Sequence, residues 1–235
     1  MFRGSVQAWR ACRGRRVLAL AAPLLLALLA GVLQADWDFA LISRRAETLY
    51  GPLGAGRPRI DDWQAMLGRL AGVDEKRQLE EVNRFFNAKL RLTDDERLWR
   101  QVDYWATPVE ALLRGAGDCE DFAIAKYFSL RQLGVPSEKL RITYVKALRL
   151  NQAHMVLTYY PSPDAMPLVL DNLVGIIRPA DQRTDLLPVY AFNAEGLWLA
   201  GRGGGKQVGD AKRLSRWQEL LKKMKAEGFP VEPAR

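Results

Sequence analysis

Apolar positions recur at helical spacing through the first half of the chain. "RIDDWQAMLGRLAG" offers Asp61 or Asp62 as a cap and Gly72 as a stop, and "DEKRQLEEVNRFFNAKL" carries Leu79, Val82, Phe86 and Leu90 along one face. "TDDERLWRQVDYWA" opens with Thr93 and has Glu96 three residues on, and "TPVEALLRG" repeats the logic with Thr107, Pro108 and Glu110. Both read as capping boxes, in which a hydroxyl and a carboxylate each satisfy an orphan backbone amide. Residues 36–113 are thus predicted to be helices joined by short turns. A further helix begins at about Cys119 and runs to Leu133, where Gly134 and Pro136 stop it. Its apolar positions 122–125, 127, 128, 130 and 133 leave a narrow polar stripe, so it is predicted to be buried on most sides.

After Pro136 the period changes. "LRITYVKAL", "AHMVLTYY", "PLVLDNLVG" and "LLPVYAFNAEGLWLAG" are rich in β-branched and aromatic residues, separated by Pro, Asn, Asp or Gly, and read as antiparallel strands. Helices followed by strands predict an α+β domain with the buried helix packed on the sheet. "GRGGGK" at 201–206 is not a phosphate loop, because Ala200 replaces the first glycine and Gln207 the hydroxyl residue; it reads as a flexible loop. "SRWQELLKKMKAEG" predicts a terminal amphipathic helix with Trp217, Leu220, Leu221 and Met224 on the face that packs on the domain. The "FPVEPAR" tail has the composition of a disordered end.

The first 35 residues stand apart: arginines at 3, 10, 13, 15 and 16, no acid, then an apolar run from Val17 to about Leu33. This reads as a secretory signal cleaved near Ala35, the alternative being a membrane anchor that stays attached. Arg15-Arg16 hints at twin-arginine export, but "VLAL" fits that signal poorly and the general route fits better. Setting the segment aside leaves residues 36–235 as one domain. The formal charge of +8 includes its five arginines, so 30 basic residues remain against 27 acidic ones, about +3. That removes the main support for nucleic-acid binding. Cys12 goes too, leaving Cys119 as the one cysteine and His154 as the one histidine. No intramolecular disulfide and no Cys/His zinc cluster can then form.

A free thiol in an oxidising compartment is a liability unless it is used. Cys119 near a helix N-terminus sits where backbone amides and the helix dipole favour a thiolate. His154 falls in a predicted strand, and Asp171 in the next, with "PSPDAMP" able to turn the chain between them. Adjacent antiparallel strands can set the imidazole beside the carboxylate, giving nucleophile, base and orienting group. Singly, each has a plainer reading: a core cysteine, a structural histidine, an aspartate opening a turn. Together, as sole Cys and sole His, they favour thiol catalysis.

Three acids surround the cysteine in "GDCEDFAIAKY". With Asp118 as N-cap, Glu120 and Asp121 fall in the first helical turn, and Asp121 takes the N3 position of a capping box. Capping accounts for one or two of them. One full negative charge at about 6 Å and an effective dielectric near 20 costs a thiolate roughly 2.8 kcal/mol, and a bound cation removes that cost. Oxygen ligands and an export address favour calcium.

"YWATPVEALLRGAGDCEDFAIAKYFSLRQLGVP", followed by "AHMVLTYY" and "LVLDNL", resembles the bacterial transglutaminase-like cysteine proteases over about residues 60–200, "GDCEDFAIAKY" being the most specific part. The resemblance implies a papain-like or transglutaminase-like α+β fold with Cys119 as nucleophile, His154 as general acid/base and Asp171 as its orienter. It implies a calcium-dependent periplasmic endopeptidase that cuts near the N-terminus of a large LapA-type surface adhesin, typically at a di-alanine site, and so disperses biofilm. Calcium ligation carries onto Asp118 and Glu120; Asp121 is added from its position. An inner-membrane cyclic-di-GMP receptor of the LapD type is the implied inhibitor. Trp105 takes either of two roles, assisting the oxyanion or packing. Two other readings stand beside the protease: a transglutaminase or amidase, which differs in what attacks the thioester, and a calcium-dependent binding module in which "GDCED" is only cap and metal site.

Overall fold

The computed structural model describes residues 37–199, 205–211 and 214–231. The segment read as an export signal and the first glycines of "GRGGGK" lie outside them, so the sequence readings made there stand as expectations. In chain order the elements are α1 (Phe39–Tyr50), α2 (Arg57–Leu70), α3 (Glu75–Lys89), β1 (Arg91–Leu92), α4 (Asp95–Leu98), α5 (Pro108–Arg114), β2 (Ala116–Gly117), α6 (Cys119–Gln132), β3 (Leu140–Ala147) and β4 (Gln152–Tyr159). They continue with β5 (Leu168–Leu170), β6 (Arg178–Pro179), β7 (Leu186–Phe192), β8 (Leu197–Leu199), β9 (Lys206–Gly209) and α7 (Ser215–Ala226). The expected order, helices then antiparallel strands, is met.

The sheet runs β6-β5-β4-β3-β7-β8-β9, every neighbour antiparallel. Against β4 and β3 lies α6, in which every residue from Asp121 to Leu130 is buried. A helix apolar around most of its girth needs partners on most sides, and it has them: the sheet on one side, α3 and α5 on others. From α2, the Trp63 indole N–H donates to Ser129 Oγ at 2.9 Å, and the Ser129 hydroxyl donates to the Ala125 carbonyl. From α7, Trp217 stacks on Phe128 with ring centroids 5.5 Å apart. The helix that carries the cysteine is therefore fixed from several directions.

Helix starts are where local reading goes astray. Asp61 and Asp62 do not cap α2, which begins one turn earlier at Arg57 with Pro in its first turn. Asp61 instead pairs with Arg57, and Asp62 with Lys89. Nor does Thr93 start a long helix. Its hydroxyl turns back to the Arg91 carbonyl, and α4 lasts four residues because the chain turns at Arg100, with φ of +60°, so that the Tyr104 amide reaches the buried Asp95 carboxylate. Thr107 and Glu110 do form the expected capping box. Lys206, the last residue of the expected loop, instead opens a strand, Lys206–Gly209. The "FPVEPAR" tail is anchored at its start: Phe229 is buried edge-on to Trp37, 4.7 Å between centroids. Trp217, Leu220 and Met224 of α7 face the core as expected, and no described helix is long and apolar enough to cross a membrane.

Candidate active site

Cys119 is the first residue of α6, with Asp118 as N-cap. Position follows from chemistry here: Asp121, three residues on and fully buried, accepts the Asp118 amide at 3.2 Å through Oδ2 and the Ala106 amide at 2.7 Å through Oδ1. One carboxylate thus ties the helix start to the loop that carries Trp105. Gly117 makes room, since a Cβ there would lie 2.7 Å from Asp121 Cβ and Oδ2.

His154 enters from β4, two elements away. Its Nε2 lies 2.8 Å from Asp171 Oδ1, both side chains being buried. An ionised carboxylate only accepts, so Nε2 carries the proton and Nδ1 is the nitrogen the carboxylate leaves unengaged. Asp171 follows the last residue of β5, which pairs with β4 in the register Leu157 to Leu170; the predicted side-by-side placement is met. Burial opposes ionisation of Asp171, but hydrogen bonds from His154, the Leu173 amide and Arg183 hold its pKa down at about 2. From α3, the Asn87 amide donates to the Asp171 carbonyl and Asn83 to that of Gly175, pinning the loop.

Cys119 and His154 line one cleft of about 420 Å³, together with Trp105, Asp118, Glu120, Met155, Leu173 and Tyr190 among others. Burial, Glu120 and Asp118 push the Cys119 thiol well up, opposed by the Met155 amide; the thiol donates to Glu120 Oε2 at 3.0 Å. Trp105 both lines the cleft and packs, stacked on Phe192 at 5.4 Å, and its carbonyl accepts from Lys223 of α7 at 2.7 Å.

The acids form a larger group than the sequence suggested. Ligand atoms of Asp95, Asp118 and Asp121 lie within 4.8 Å of one another, as do those of Asp95, Asp103 and Glu120, and of Asp118, Cys119 and Glu120. Asp95 Oδ1 and Asp118 Oδ1 are buried without a hydrogen-bond partner. Burial together with Glu120 and Asp121 raises Asp118 to about 11; burial, Glu120 and Asp103 raise Asp95 to about 6, against the Tyr104 amide. Two unit charges 4.8 Å apart repel by about 3 kcal/mol at an effective dielectric near 20. A hard, oxygen-seeking cation fits that donor set. Asp121, with an amide on each oxygen, acts first as the cap. Asp95, Asp103 and Arg183 are the site residues missed from sequence: two come from the irregular stretch around α4, the third from a loop after β6.

Residues 67–187 match the family of bacterial transglutaminase-like cysteine proteinases. LapG of Legionella pneumophila is 46% identical, over 78% of this chain and 97% of its own, with a TM-score of 0.67. The same protein treated with EGTA gives 46%, 78%, 97% and 0.69, and in its calcium-bound form 45%, 78%, 98% and 0.67. No curated protein sequence matches the chain.

Proposed function

Because the chain belongs to the bacterial transglutaminase-like cysteine proteinases, we propose that it is a calcium-dependent periplasmic endopeptidase acting through Cys119, His154 and Asp171. Its substrate is the N-terminal region of a large LapA-type surface adhesin, cut at a di-alanine site, so that the adhesin is released and biofilm disperses. The observation that carries the reading is the buried His154–Asp171 pair at 2.8 Å opening onto the cleft that holds Cys119 at a helix N-terminus.

The steps follow from the geometry. His154 takes the Cys119 proton, and the resulting thiolate attacks the scissile carbonyl carbon to give a tetrahedral oxyanion. The Cys119 amide, at a helix start and without an intrahelical acceptor, is a donor for that oxygen. His154 returns the proton to the leaving amine as the C–N bond breaks, leaving a thioester. Water, deprotonated by the same imidazole, then hydrolyses the thioester. Asp171 keeps the proton on Nε2, so that Nδ1 serves as the base.

Asp95, Asp118 and Glu120, with Asp103 and Asp121 at the edge, would hold calcium. When bound, it supplies positive charge beside the thiol. Calcium-bound and EGTA-treated forms of the Legionella protein support its use here. A segment with a secretory signal's pattern supports the periplasmic address, and a LapD-type cyclic-di-GMP receptor is the proposed inhibitor.

The test is cleavage of a recombinant N-terminal adhesin fragment by the mature protein, with calcium, with chelator and with Cys119→Ala. Two hydrolytic fragments, lost in both the chelated and substituted samples, are expected. Continued cutting by Cys119→Ala would refute the nucleophile, and an amine-modified product would point to acyl transfer instead.

A further inference from the structure

Asp171 has two carboxylate oxygens, and only one faces the histidine. Oδ1 accepts from His154 and the Leu173 amide; Oδ2 accepts from Arg183 Nη2 at 2.7 Å. Arg183 is itself buried, 4% exposed, and its guanidinium is gripped along its Nε/Nη2 edge by Asp185, Nε to Oδ1 at 2.9 Å and Nη2 to Oδ2 at 2.8 Å, so that Nη2 serves both carboxylates. A two-point pair of this kind fixes a planar group in orientation as well as place. The guanidinium is thus oriented by one carboxylate and spends its remaining reach on another. Arg183 does not line the catalytic cleft; it lines a different cavity, of about 270 Å³.

We propose that Arg183 is a positioning residue for the protease reaction, an arm braced on Asp185 that locks the Asp171 carboxylate in the rotamer which keeps the His154 proton on Nε2. This rests on the triad reading above. Without the arm, Oδ2 would be a buried acceptor with nothing to bind, and the carboxylate would be free to rotate about its last bond or to take a proton. Either event releases the imidazole tautomer. The titratable and charged groups around Asp171 are His154 from β4, Arg183 with Asp185 behind it, and Lys126 from α6, buried and within electrostatic reach. Burial lowers Lys126 to about 7, against Asp171, and it makes no hydrogen bond to the carboxylate, so orientation falls to Arg183.

His154 is the one histidine of the chain, so a tag-free protein labelled with 15N-histidine gives a single pair of ring-nitrogen signals. The calcium-loaded mature protein is expected to show the Nε2–H tautomer with a downfield, slowly exchanging proton. In Arg183→Gln that proton should exchange rapidly and the tautomers mix, while kcat falls about 10- to 100-fold, the usual cost of losing a partner that orients a site ligand, and KM stays within about twofold. Arg183→Lys, able to supply charge but not two-point bracing, should fall between. A folded Arg183→Gln protein with the wild-type spectrum and kcat overturns the proposal. If Arg183→Gln does not fold, Asp185→Asn decides, because it frees the brace and leaves the bond to Asp171: a weakened Nε2–H signal with lower kcat supports the arm, and wild-type behaviour overturns it. Since the spectrum needs no substrate, a wild-type protein that shows the expected tautomer but cuts nothing counts against the adhesin reading alone.

Discussion

Asp95→Asn should stabilise the protein without calcium and lose most of that gain with it. Asp95 is 3% exposed, its Oδ2 accepts the Tyr104 amide at 2.5 Å and its Oδ1 has no partner. Burial and the neighbouring acids raise its pKa from 3.8 to about 6. Below about pH 4 the folded and unfolded chains both hold the proton, so no penalty arises. Between about 4 and 6 the unfolded chain loses its proton first, and stability falls. At neutral pH the cost to the ion-free protein is about 3 kcal/mol. Asparagine keeps the shape and the acceptor for the Tyr104 amide but cannot ionise, and it gives up a charge-assisted bond worth about 1 kcal/mol. The chelated variant should therefore gain about 1–2 kcal/mol, a rise in Tm of about 2–8 °C for a chain of this size. With calcium most of that gain should disappear, because one negative oxygen donor is gone: a tenfold weaker affinity removes about 1.4 kcal/mol of ligand stabilisation. Scanning calorimetry at pH 7 in EGTA and in excess calcium, with calcium titration calorimetry alongside, reads both. A lower Tm in EGTA, or an undiminished calcium increment, would refute the reasoning.

Glu227→Gln should stabilise the protein at alkaline pH. Burial lifts Glu227 to about 8 against hydrogen bonds from Thr107 and Tyr50, so the wild type loses stability as pH rises from about 4.5 to about 8; the neutral amide escapes that loss, with a net gain of about 1–2 kcal/mol at pH 8 after the cost of a poorly paired NH2, readable in urea unfolding. Gly117→Ala should cost about 1–3 kcal/mol by overpacking, since the new methyl meets Asp121 at 2.7 Å, and should weaken calcium binding by moving Asp118; wild-type Tm and affinity together would refute the contact.

Local signals carried far where chemistry and chain neighbourhood coincide. The start of α6 was legible because Asp118, Cys119 and Asp121 cap within four residues, and its end because Gly134 and Pro136 cannot continue it. The His154–Asp171 pairing was legible because two strands with a turn between them admit few arrangements. What stayed hidden came from irregular backbone. Asp95 and Asp103 join the acidic group only because the chain reverses at Arg100, and a left-handed arginine has no sequence signature. Arg183 sits in "RPADQRTD", a string whose composition says loop and nothing more. The misplaced starts of α2 and α4 share one cause: Asp61, Asp62 and Thr93 are competent caps by type, but Arg57 one turn back, Lys89 of α3 and the Arg91 carbonyl engage them instead.

The bond from Lys223 to the Trp105 carbonyl, with Glu110 and Glu227 joined around it, also sets an order in time. Cysteine, histidine and aspartate have all been synthesised by residue 171, yet one wall of the cleft is held by a helix more than a hundred residues beyond that wall. A chain synthesised from its N-terminus therefore carries Cys119, His154 and Asp171 before the helix that holds Trp105 has been made. The Trp105 wall is thus the part of the cleft whose support is made last.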